Sequence, residues 1–196
     1  MAASLDPHIE HHHHDPIDGV PEPAETPTEV EDYTALLYYK QHASLRWNAQ
    51  ADLGTQTIVT YSFTKTSELE DPSVDPYGAT DYWAYDEAQK ALFREVAAQF
   101  EAISGVKFVE IEGDAMINIF GTSGSDVGGW ANVSQSSSSD TANGKLTNAY
   151  KSMEVGDYGY QVNLHELGHA MGLQHPHEGN LVLANSVDTQ ENTVMA

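Results

Sequence analysis

Leu164-His-Glu-Leu-Gly-His-Ala-Met-Gly-Leu-Gln-His-Pro-His177 is the stretch on which the reading of this chain turns. Gln161 to Gly172 has the pattern of a helix. On it, His165 and His169 stand at i and i+4, so both imidazoles leave the same face one turn apart. Two imidazoles so placed can share a Zn²⁺ at about 2.1 Å each. Glu166 is rotated about 100° from His165. It is too far round to ligate beside both histidines, yet near enough to reach a water in front of them, where a general base belongs. His175 cannot join along a continuous helix, because ten residues of helix rise about 15 Å. The chain must turn back, and Gly172 can supply the left-handed residue for that turn. Pro176 then discourages the helix from resuming. Three histidines with a fourth position open are the donor set of a catalytic zinc site, not a closed structural one.

Composition agrees with this donor set and excludes others. The chain has 196 residues, 30 acidic and 8 basic side chains, 10 histidines and no cysteine. Disulfides, Cys-ligated zinc and thiol nucleophiles are therefore ruled out. A net charge of −22 argues against nucleic acid or an anionic membrane as partner. The acids are spread along the chain, as in a diffuse solvated surface. No apolar run approaches the length of about 18 residues that a transmembrane helix needs. No secretory signal peptide is visible at the N-terminus.

Two regions are expected. Residues 1–32 hold nine acids, no Lys or Arg, five prolines and five histidines (His8 and His11 to His14). They read as a disordered acidic tail, with a pro-segment as the functional alternative. Residues 33–196 read as one globular domain. Tyr33 to Lys40 could start a short helix. Thr57–Phe63, Val106–Ile111 and Met116–Phe120 read as strands, and residues 65–80 as a loop. Tyr85, Ala88, Leu92, Val96, Phe100 and Ile103 predict a long helix, ended by Gly105. Gly128–Val133 is a short edge piece, and Ser136–Ser139 an exposed loop. The order implies an α/β (or α+β) domain with a small sheet.

The pattern His165-Glu-Leu-Gly-His-Ala-Met-Gly-Leu-Gln-His-Pro176 resembles that of the metzincin clan of zinc endopeptidases. The proline after the third histidine makes it look like the serralysin branch. The resemblance runs over roughly residues 45–196. It implies a small, twisted, mostly parallel sheet with an antiparallel edge strand, a long backing helix and an active-site helix. It implies one catalytic Zn²⁺ on His165, His169 and His175, with Glu166 as catalytic base. Met195 would form a Met-turn under the metal. Gly129, Trp130, Ala131 and Asn132 would be the edge strand along which a polypeptide substrate pairs. It further implies a secreted monomer, exported by a type I route through a C-terminal signal outside this chain. Calcium is implied only through a C-terminal region that is also outside it. Three departures stand out. The family's Tyr two residues beyond the Met has no counterpart, because the chain stops at Ala196. The glycine-rich repeats are missing. His177 stands where glycine is usual, and reads as a solvated loop residue. The chain is thus expected to be most of a catalytic domain ending just after the Met-turn. A non-catalytic zinc- or peptide-binding module of the same fold is the alternative.

Overall fold

The computed structural model describes residues 26–37, 47–48, 51–132 and 144–196. The tail histidines His8 and His11 to His14, His42, residues 38–46 and the Ser136–Ser139 run lie outside them.

The main sheet is built from β2 (Thr57–Phe63), β3 (Asp81–Trp83), β4 (Val106–Glu110), β5 (Ile117–Ser123), β6 (Gly129–Asn132) and β7 (Gly144–Asn148). Its order is β4-β2-β5-β7-β6, and β3 pairs antiparallel with the end of β5. The β2–β4, β2–β5 and β5–β7 pairs are parallel, whereas β6 runs antiparallel to β7 at the edge. A mostly parallel sheet with an antiparallel edge strand is the expected α/β class. A second, two-stranded parallel sheet joins β1 (Thr28–Val30) to β8 (Leu181–Leu183).

Helix α1 (Glu87–Ile103) connects β3 to β4. It starts at a capping box: Gln89 N–H donates to Asp86 Oδ1 and Asp86 N–H donates to Gln89 Oε1, which satisfies two otherwise open donors. Its buried stripe is Gln89, Phe93, Val96 and Ala97. The periodicity in the sequence placed that stripe slightly round the helix, and Ile103 is in fact exposed. Gly105 does not take the left-handed conformation expected of it. Ser104 ends the helix instead, with both its N–H and its hydroxyl donating to Phe100 O.

Helix α2 (Tyr158–Ala170) packs against α1, β6 and β7. Val59, Tyr61, Phe93, Val96, Ile117, Ile119, Leu146 and Leu167 form the core between the sheet and the two helices. Phe120 and Trp130 point to the other face, into a smaller cluster with Ala79 and Tyr82.

Several elements differ from expectation. Residues 65–80 contain two 3-10 turns, Thr66–Glu68 and Pro72–Val74. The expected helix from Tyr33 is a 3-10 turn over Tyr33–Leu36. Within the stretch 1–32, Thr28–Val30 are paired in β1. Strands β3, β7 and β8 do not stand out in the sequence, yet β7 lies between β5 and the edge.

Candidate metal centre

Helix α2 delivers His165 and His169 from one face, and the chain then turns sharply. Gly172 has φ +91°. Its N–H donates to His169 O, and Leu173 N–H donates to Gly168 O. This paired closure of a helix end around a left-handed glycine is a Schellman motif. It swings His175 back toward the helix. The three Nε2 atoms then stand 3.0 Å (His165–His169), 3.2 Å (His165–His175) and 3.2 Å (His169–His175) apart. Tetrahedral ligands at zinc–nitrogen bond length are separated by about 3.3 Å.

The outer nitrogen of each ring fixes its tautomer. His165 Nδ1 is 2.7 Å from Val194 O, and His169 Nδ1 is 2.9 Å from Leu173 O. Carbonyl oxygens only accept, so both rings carry their proton on Nδ1. His175 Nδ1 faces the Glu178 carboxylate at 3.0 Å, which also accepts. With each Nδ1 held by an acceptor, the three Nε2 atoms are left to converge on one point. Such an arrangement is repulsive unless a cation sits between them, and it fits a divalent metal with its outer hydrogen bonds already made.

Glu166 is buried beside this cluster, and its Oε2 has no hydrogen-bond partner among the described residues. Burial pushes its carboxyl up to about 8, since loss of solvent penalises the charged form. A buried carboxylate oxygen left unpaired is costly, so this atom calls for a partner that the protein itself does not supply.

Edge strand β6 passes directly over Glu166. A Cβ added to Gly129 would stand 2.6 Å from Thr147 O, 2.7 Å from Val162 Cγ1 and 3.0 Å from Glu166 Cγ. Only glycine lets the strand come this close. Ala131 faces the main core, whereas the Trp130 side chain is buried on the opposite face. There its Nε1–H donates to Asp75 Oδ2. Asn132 is exposed. Among the described residues no strand pairs with the outer edge of β6.

Met195 is fully buried beneath α2, and a Cβ on Gly168 would meet its Sδ at 2.6 Å. The preceding carbonyl, that of Val194, is the one His165 holds. Val194 also borders a hollow of about 390 Å³ lined by Gln161, Gln190, Glu191, Asn192 and Thr193. His177 stacks on His175 at 5.5 Å between ring centroids, and its Nδ1 lies 3.4 Å from Asp188 Oδ2. It is not one of the three converging rings. Sequence reasoning missed Glu178 and Gln174. Glu178 follows His175 by three residues, a spacing that could have signalled a partner for the ring. Gln174 carries no such signal.

Comparison with known proteins agrees with this geometry. The family described as "Metallo-peptidase family M12B Reprolysin-like" matches residues 74–176. Serralysin of Proteus mirabilis is 27% identical over 157 residues, covering 68% of this chain and 30% of that protein. Serralysin of Photorhabdus laumondii subsp. laumondii is 29% identical over 146 residues, covering 69% of this chain and 29% of that protein. The chain thus spans about 30% of the length of the curated relatives it matches. With over half of its residues matched to the family, the chain belongs to the reprolysin-like M12B metallopeptidases.

Proposed function

We propose that the chain is a zinc-dependent endopeptidase domain in which His165, His169 and His175 hold one Zn²⁺ and Glu166 is the general base. The observation that carries this reading is the convergence of three Nε2 atoms within 3.2 Å of one another, with the buried Glu166 Oε2, one residue along from His165, left without a hydrogen-bond partner among the described residues. Bound zinc supplies a Lewis acid that makes a water nucleophilic near neutral pH and offsets negative charge on the attacked carbonyl oxygen. In its ionised form, Glu166 takes one proton from the water at Oε2 as the water oxygen bonds to the scissile carbonyl carbon, so the rate is expected to rise with pH through the raised range of this carboxyl. The same carboxyl then passes that proton to the leaving amine as the C–N bond breaks, which returns Glu166 to its starting state.

The outer edge of β6, from Gly129 to Asn132, holds the substrate extended through main-chain hydrogen bonds. This mode tolerates many sequences, so a broad range of polypeptides is cleaved. The hollow lined by Gln161 and residues 190–194 receives a substrate side chain, and its amide-rich lining with Glu191 favours a polar or basic one. Met195 is the Met-turn residue. It supports Gly168 from below and places Val194 O against His165. The resemblance to serralysins further suggests action outside the cell, as a single copy.

The reading is tested by casein digestion with purified protein, before and after removal of metal by a chelator and after return of one equivalent of Zn²⁺. Cleavage that is lost and then restored is the expected result. One zinc bound without cleavage contradicts the endopeptidase and leaves a zinc- or peptide-binding module of the same fold.

A further inference from the structure

Two of the three histidines sit on α2, where helical hydrogen bonds fix them. His175 sits on a loop, and holding a loop residue in one conformation costs entropy that something must offset. The contacts that hold this loop come from residues 28–37, upstream of the family match. Thr28 N–H donates to Asn180 O at 2.9 Å, and Ala184 N–H donates to Val30 O at 2.9 Å, closing the two ends of the β1–β8 pairing. Ala35 is fully buried in the 3-10 turn over Tyr33–Leu36. Leu37 bridges Leu173, and Gln174 N–H donates to Leu36 O at 2.9 Å.

The connection to the metal centre runs through one amide group. Gln174 is buried, and its Nε2 donates to Ala35 O and to Glu178 O, each at 2.8 Å. The Glu178 carboxylate in turn accepts from His175 Nδ1. From the upstream segment to the third histidine there is thus a continuous path: Ala35, Gln174, Glu178, His175. Leu183 N–H donates to Pro176 O at 2.7 Å, which ties β8 to the residue after His175.

We propose that residues 28–37 are a positioning strap for His175 and that Gln174 is the positioning residue linking the two. Zinc loading and docking of the strap then stabilise each other, because coupling between two binding events is reciprocal. The proposal rests on the zinc site described above.

The test measures zinc affinity of the full chain by competition with a chelating dye, for wild type, Gln174→Ala and Thr28→Pro. Thr28→Pro removes the N–H that donates to Asn180 O and stiffens the chain after Pro27, on an exposed residue remote from the reacting groups. Both variants are expected to bind zinc more weakly, by about 10- to 100-fold for Gln174→Ala, as for other groups that orient a ligand, and less for Thr28→Pro. A second measurement needs no variant. Hydrogen exchange on the wild type is expected to slow at the amides of Thr28, Gln174 and Ala184 when zinc is added, while the β2–β4 amides stay unchanged. Zinc binding that leaves those three amides and the affinity of Thr28→Pro unaltered overturns the strap alone. Failure of the wild type to bind zinc overturns the metal site and the strap together.

Discussion

At the scale of single residues, the molecule places a few polar groups where they accept or donate as many bonds as they can. Asp75 shows this away from the metal. Its Oδ1 accepts from the N–H groups of Tyr77 and Ala79, and its Oδ2 from Tyr82 Oη–H and Trp130 Nε1–H. Burial, together with the bond to Asp75, pushes the Tyr82 hydroxyl well above its usual range. One carboxylate thus ties the loop over residues 75–82 to the residue at the centre of the edge strand. Asp75→Asn turns one acceptor atom into a donor that faces two other donors. It is expected to cost about 1.5–3 kcal/mol, the range for hydrogen bonds to charged groups, measured by urea unfolding, with Trp130 emission shifted to the red. That His165, His169 and His175 would converge, with Glu166 alongside on the helix, was legible from spacing. Helical geometry sets which side chains share a face, and Gly172 and Pro176 signal the turn. Asp75, Glu178 and Gln174 were not, because each acts through contacts that only the folded chain brings together.

At the scale of elements, legibility follows length and burial pattern. Strand β2 and helix α1 are long enough for their periodicity to show, and their bounds lie close to those expected. Strands β1, β3 and β8 have three residues each, too few for alternation to register. Strand β7 fails for another reason. It reads Gly-Lys-Leu-Thr-Asn, but Leu146, Thr147 and Asn148 are all fully buried. The two polar ones are tolerated because they are bonded: Thr147 Oγ1 accepts from Trp130 N–H, and Asn148 Nδ2 donates to Gly159 O. A central strand whose polar side chains hold the neighbouring edge and the start of α2 does not look like a core strand in sequence. The contact between β6 and α2 belongs to this scale too. Gly129→Ala forces a Cβ against backbone at Thr147, so β6 must move off both β7 and Glu166. The expected loss is about 1–3 kcal/mol of stability, as for overpacked sites, with a fall in kcat/KM on peptides in the folded fraction. Unfolding curves and steady-state kinetics on the same preparation read both effects.

At the scale of the whole molecule, the sheet, α1 and α2 form a scaffold, and the metal centre lies where α2, the edge strand and the returning loop meet. The net charge of −22 plays no part in that geometry. The surface Lys and Arg ion pairs, such as Arg94 with Glu110 at 2.7 Å and Lys145 with Glu70 at 2.6 Å, are at least partly open to solvent and contribute little to stability. The family match covers residues 74–176, which includes the three histidines and Glu166 but neither residues 28–37 nor Met195. Contacts to the loop that carries His175 and to His165 therefore come from outside the matched region at both ends. The central claim is a division of labour in which the histidines hold zinc and Glu166 moves the proton. Glu166→Gln keeps the shape of the side chain and removes its basicity. Zinc content and cleavage of an unstructured peptide, measured together on wild type and Glu166→Gln, test the claim most directly. The account predicts one zinc per chain in both proteins and cleavage slowed by about 10²- to 10⁴-fold in the variant. Full activity in Glu166→Gln with its zinc retained would contradict it.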